Sequence, residues 1–201
     1  YNDVVPGEVV RKEHRLFRSI LEKYTEVLEL SSLLEEALEG EEARALVRER
    51  LSRMAPWLDL AAAVDGASPK RLAKLLVEGL PKQARGFAEY FAPRHYDLHP
   101  LPNLYFMRDS AFVFRDILFL SSMAHEVRSG ETLLTEVALG HGNRYIPSRT
   151  VRMAERIEGG DIAILSQDLL LAGISQRTSA AALDTLATEA ARLSGAPVRV
   201  V

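Results

Sequence analysis

At Pro100 the hydrophobic pattern of this 201-residue chain changes period, and that change limits the folds open to it. Ahead of it, residues 31–95 hold nearly all the strong helix formers. Behind it, short apolar runs alternate with turn residues, as in hairpins. Hairpins and helices in alternation, with a helical block set among them, describe an α/β chain carrying an inserted helical bundle.

The pattern resolves into elements. Val9, Val10, Leu16, Phe17, Ile20, Leu21 and Tyr24 recur at three- and four-residue spacing and predict an amphipathic helix. "EVLEL" (26–30) reads as a short strand. Ser32 and Glu35 make a capping box before "LLEEAL", and "EEARALVRERLSRM" is helical in period and propensity. Ser68-Pro69 is an N-cap and first-turn pair opening a helix over 70–80. After Pro100, "AFVFRDILFL" predicts a hairpin turning at Arg115-Asp116, and "DIAILSQDLLLAGI" another turning at Gln167-Asp168. Ser179 caps a helix to Ser194, Gly195 ends it, and "PVRVV" starts a strand. The division is therefore 1–30 with 96–201 as the α/β part and 31–95 as a helical insertion of four or five short helices. A last strand with no polar exit residue is expected of a larger protein cut short.

Composition excludes several classes. The net charge of -3 is interleaved along the chain and gives no footprint for nucleic acid or an anionic membrane. The longest apolar stretches, such as Leu58–Val64, are too short to span a bilayer. The N-terminus has no signal-peptide pattern, and a cytosolic location is the default expectation. With no cysteine there is no disulfide framework, zinc knuckle or thiol nucleophile. His95 and His99 have a metal-binding spacing, but Pro93 and Pro100 oppose the helix it requires.

Two stretches stand out. In "LPNLYFMRDS", Leu104–Met107 read as a buried strand, and Arg108 and Asp109 at its end need partners, because an unpaired buried charge is costly. In "RIEGGDIAILSQDLLLAGISQRTS", Glu158 and Asp161 flank two glycines. Carboxylates brought together by such a turn repel unless a cation lies between them, which a cationic ligand would supply. Taken alone, the turn also reads as solvated, Arg128 as a loop charge and Arg177 as a stabiliser of the loop before a helix.

Together, "LPNLYFMRD" and "IEGGD…GISQRTS", in this order and with a helical insertion ahead, resemble arginine deiminases of the guanidino-group-modifying superfamily. The resemblance also takes in "YNDVVPGEVVRKEHRLF" and implies part of a five-bladed α/β propeller. It implies that Asp109 grips the substrate guanidinium, with Asp161 beside it and Glu158 facing the reacting carbon. Asn103 and Phe106 would line the substrate, while Arg128 and Arg177, each 19 residues after an acid (Asp109 and Glu158), would bind its α-carboxylate. Acids at one end and arginines at the other suit free L-arginine, which carries opposite charges at its two ends.

The implied reaction converts L-arginine to L-citrulline and ammonia through a cysteine thiolate, with no cofactor or metal; homo-oligomerisation stays open. Neither that cysteine nor a histidine in the matching motif is among these residues. A catalytically inactive arginine-binding protein is therefore an alternative, as is a relative acting on another guanidino compound. Met107, the glycine-free turn at Arg115-Asp116 and the "GHGNRY" segment also depart from the family pattern. With Arg108 as the nearest cation in sequence, the three carboxylates are expected to share a retained proton. Glu158→Gln would then raise the ligand-free melting temperature and shrink the stabilisation given by arginine.

Overall fold

In the computed structural model, which describes residues 7–83, 86–91, 95–141, 147 and 149–201, the N-terminal periodicity forms helix α1 (Gly7–Leu21). The residues 1–6 and most of "GHGNRY" lie outside the described residues. Residues 26–29 form no strand, and helix α2 (Leu30–Ala37) starts at once, with Glu29 rather than Ser32 as its N-cap. Leu33, Leu34 and Ala37 share a helical face, and burying that face outweighs the local strand and capping signals. Helix α3 (Glu41–Met54), a π-helical turn (Ala61–Asp65) and helix α4 (Pro69–Glu78) follow. Ser68 caps α4, its hydroxyl accepting from the Arg71 N–H at 3.3 Å. Strand β1 (Leu80–Pro81), helix α5 (Phe87–Tyr90) and strand β2 (Tyr96–Leu98) complete this part, with β1 and β2 antiparallel.

Leu104–Met107 do not form the expected buried strand. A 3-10 turn (Pro102–Tyr105) runs into the short helix α6 (Met107–Ser110), and Tyr105, Phe106 and Met107 are exposed. Pro102 sets the first turn, and the Asp109 N–H donates to the Phe106 carbonyl at 3.1 Å, so the chain stays coiled until Ala111.

Strands β3 (Ala111–Phe114) and β4 (Ile117–Leu120) form the first hairpin, with Phe114 opposite Ile117. Arg115 takes a left-handed φ of 56° at the turn, a conformation more often given to glycine. A 3-10 turn (Glu126–Arg128) and helix α7 (Ser129–Gly140) return the chain to strand β5 (Arg149–Arg152), parallel to β4. The same plan then repeats. After the 3-10 turn Gly159–Asp161, β6 (Ile162–Ile164) and β7 (Leu169–Ala172) pair antiparallel, and α8 (Ala180–Ser194) leads to β8 (Arg199–Val200), parallel to β7. The hairpins and the limits of α8 match the sequence expectation, with Ser179 capping and Gly195 left-handed. Each of these two hairpin units makes a three-stranded sheet, and among the described residues neither closes on itself.

Helix α7 carries no amphipathic signal because it is buried on several faces. Leu133, Leu134, Val137 and Ala138 join Leu34, Leu38, Val47 and Leu72 in the helical core. Leu139 packs against Ala111, Leu118 and Leu120 of the first sheet. The opposite sheet face, Phe112, Phe114, Ile117 and Phe119, packs with Ile162, Leu170 and Leu186 of the second unit. The Phe112 and Phe119 rings stack with centroids 5.2 Å apart. The first sheet is thus gripped between α7 and the second hairpin unit. No helix among the described residues is long and apolar enough to cross a membrane.

The Ser68 cap sits well away in sequence from both hairpin units. Ser68→Ala is expected to destabilise the fold by about 1 kcal/mol. A melting curve checks this: the midpoint should fall by roughly 2–4 °C.

Candidate active site

Each unit brings an acid in just before its hairpin and sends an arginine out just after it. The first strand of an antiparallel hairpin begins where the second ends, so acid and arginine emerge at the same edge. In the first unit these are Asp109, ahead of β3, and Arg128, beyond β4; in the second, Glu158 and Asp161, ahead of β6, and Arg177, beyond β7.

Side chains of the two units interlock at that edge. Arg128 Nη1 donates to Asp109 Oδ2 at 3.0 Å and to Glu158 Oε2 at 3.4 Å. Arg177 Nη1 donates to the same Glu158 oxygen at 3.1 Å and lies 4.0 Å from Asp109 Oδ2. Glu158 is 1% exposed and also accepts from the Ala124 N–H at 3.2 Å through Oε1. Asp161 is tied down locally, its Oδ2 accepting from Thr178 Oγ1 at 2.6 Å and Ser175 Oγ at 2.7 Å.

The glycines between the acids permit this approach. A Cβ on Gly159 would lie 2.2 Å from the Arg108 carbonyl oxygen, and one on Gly160 would lie 2.4 Å from Asp109 Oδ1. The turn therefore packs directly on α6, which puts Glu158 beside Asp109.

Sequence reasoning missed Glu131. Its carboxylate accepts from Arg128 Nε at 2.9 Å and Nη2 at 2.7 Å, and both side chains are buried. Those hydrogen bonds hold the Arg128 guanidinium above its ordinary pKa; burial opposes this and Asp109 adds to it. The available signal was the Arg-x-x-Glu spacing at a helix start, where residues three apart meet. Thr178 was missed as well, a buried hydroxyl that also accepts from the Glu158 N–H at 3.2 Å.

Of the seven residues singled out in sequence, Asp109, Glu158, Arg128 and Arg177 converge, and Asp161 sits in the same turn as Glu158. Asn103 and Phe106 lie on the turn leading into Asp109, Phe106 exposed and Asn103 half-buried. Neither makes a side-chain hydrogen bond to the charged group among the described residues. Arg128 is no solvated loop charge, being 5% exposed. Arg108, the expected counter-ion, instead donates to the Ile162 carbonyl at 2.5 Å. Arg128 and Arg177 supply the positive charge, so the premise of uncompensated carboxylates fails.

Among the described residues, no group of three His, Cys, Asp or Glu side chains is placed to hold a metal ion. A cavity of about 490 Å³ lies between α3, α4 and the start of α7; its walls are mainly apolar, including Leu51, Met54, Leu76 and Leu133, with Asp97, His99 and Glu126 also lining it, and none of Asp109, Glu158, Arg128 and Arg177 does so.

The arginine deiminase family model matches residues 71–200. The chain is 32% identical to the arginine deiminase of Mycobacterium marinum over 194 residues, 88% of this chain and 48% of the relative. It is 28% identical to that of Staphylococcus aureus strain Newman over 205 residues, 93% and 50% of the two chains. It thus spans about half the length of these relatives. Among solved structures, a Pseudomonas aeruginosa dimethylarginine dimethylaminohydrolase variant complexed with citrulline is similar at 22% identity and a TM-score of 0.43, over 63% of this chain and 56% of that one.

The arginines reverse the stability expected of a change at Glu158. Glu158→Gln removes the charge that two guanidinium groups share, one of them buried. The ligand-free protein should lose roughly 1–3 kcal/mol and melt at lower temperature. A calorimetric scan of both forms checks the sign, which a rise in the midpoint would contradict.

Proposed function

Since the chain belongs to the arginine deiminase family, we propose that its charged edge binds L-arginine, with acids at the guanidinium and arginines at the α-carboxylate. The observation that carries this is the meeting of Asp109 and Glu158 with Arg128 and Arg177 at one edge of two adjoining hairpin units. Asp109 and Glu158 accept from the planar cation, and Asp161, oriented by Thr178 and Ser175, completes the acid wall. Arg177, 49% exposed along its side chain, swings from Glu158 to the incoming carboxylate, joined by Arg128 Nη1. Asn103 and Phe106 line the approach. The ligand's two ends thereby replace ion pairs that the empty site makes within itself.

In this reading the reaction is hydrolysis of L-arginine to L-citrulline and ammonia, with a thiolate attacking the held guanidinium carbon and Glu158 assisting proton transfer. The thiolate and matching histidine implied by the family resemblance are not among these 201 residues, so the residues present bind and orient. The three-stranded sheets are read as blades of a five-bladed propeller, residues 31–95 as its helical insertion. The reading also carries a cytoplasmic location and no cofactor. A second reading is an arginine-binding protein without catalysis: these 201 residues, about half the length of the curated relatives, hold no cysteine.

Titration calorimetry of the 201-residue chain with L-arginine and agmatine tests the binding. Arginine should bind more tightly than agmatine, which lacks the carboxylate and leaves the arginine pair unanswered. Asp109→Asn should weaken arginine binding by about tenfold or more, because it removes one charged acceptor. Citrulline formation by the chain alone is expected to be nil. Undiminished arginine binding by Asp109→Asn would remove Asp109 from the site.

A further inference from the structure

Arg128 reaches Asp109 and Glu158 through one nitrogen, Nη1. Its other two nitrogens, Nε and Nη2, both donate to the Glu131 carboxylate. We propose that Glu131 is a positioning residue: it occupies the two-nitrogen face of Arg128 and so leaves that arginine one nitrogen for the acids that receive a guanidinium. The proposal rests on the arginine-binding reading above and deepens it.

Guanidinium and carboxylate pair most strongly edge to edge, two nitrogens to two oxygens. Without Glu131, Arg128 would turn that edge to Asp109, the nearest remaining carboxylate, at 3.0 Å. Asp109 would then be fully paired and closed to an incoming guanidinium. Glu131 meets the same demand from a position 22 residues further along the chain. It leaves Asp109 with one oxygen, Oδ1, that takes no part in its ion pair with Arg128.

The surroundings keep Glu131 in register. It lies in the first turn of α7 and is 1% exposed. Its carbonyl oxygen accepts from Thr135 Oγ1 at 3.1 Å, and that hydroxyl is hydrogen-bonded to Ser110 Oγ at 2.7 Å, next to Asp109 in sequence. The helix carrying Glu131 and the turn carrying Asp109 are thus linked by a second, buried contact. Glutamine at 131 keeps the size of the side chain but offers one acceptor oxygen in place of two, which frees part of the Arg128 fork.

Two measurements test this on the 201-residue protein. The first is the calorimetric affinity for L-arginine of the unsubstituted protein, Glu131→Gln, Arg128→Met and the double variant. Glu131→Gln should weaken binding by about tenfold, and should change nothing further once Arg128 is methionine, because no fork remains to be held. A purely structural Glu131 would give the same loss in both backgrounds, and that result, or unchanged affinity in the single variant, would overturn the proposal. The second is the Nε–H resonance of Arg128 in nitrogen-15 spectra, assigned by its loss in Arg128→Met. It should be slow to exchange in the unsubstituted protein and lose that protection in Glu131→Gln. If the unsubstituted protein binds no arginine, the arginine-binding reading fails and the proposal falls with it; if it binds arginine but the resonance is unprotected, or keeps its protection in Glu131→Gln, the proposal alone is overturned.

Discussion

A guanidinium buried to 5% exposure needs negative charge around it, and Arg128 has three carboxylates within hydrogen-bonding distance. Stripping water from an ion carries a penalty of several kcal/mol, repaid when charge and hydrogen bonds are supplied together. Here Glu131 comes from the start of α7, Asp109 from α6 and Glu158 from the turn before β6. Three separate segments are therefore held to one side chain. The helical core, the first sheet and the second hairpin unit all meet the site through those segments.

The repeated hairpin, helix and parallel strand explains why charge gathers at one edge. Apolar residues inside each hairpin are consumed by packing, with β4 buried along its whole length. Polar residues fall at the strand ends, and antiparallel pairing brings two of those ends together. Two units placed core to core through Phe112, Ile162 and Leu170 then bring two acid and arginine sets into reach.

Local signals were legible where local physics decides. Ser179 and Gly195 delimit α8 because an N-cap hydroxyl and a left-handed C-terminal glycine act within their own turn. Both hairpins showed in their apolar runs. Helix α7 did not, since burial on several sides erases the amphipathic period. The apolar run Leu104–Met107 looked like core, whereas Tyr105 and Phe106 stand in the open beside the acids. For the site, nothing in composition or spacing brings residue 109 to residue 158; that pairing came from the family resemblance. Glu131 escaped because its neighbours read as a polar turn, and only the fold shows that turn to be inside.

At the far tips of the hairpins, the Arg115 Nε–H donates to the Gln167 carbonyl at 2.6 Å, joining the turn of one unit to the turn of the other. The units are pinned there and again at the charged edge, about the length of a strand away. The tip pin is a side chain on a backbone carbonyl and is indifferent to what occupies the site. Pinned at both ends, the two hairpins hold between them the apolar layer that they share, as two boards screwed together at opposite edges hold what lies between.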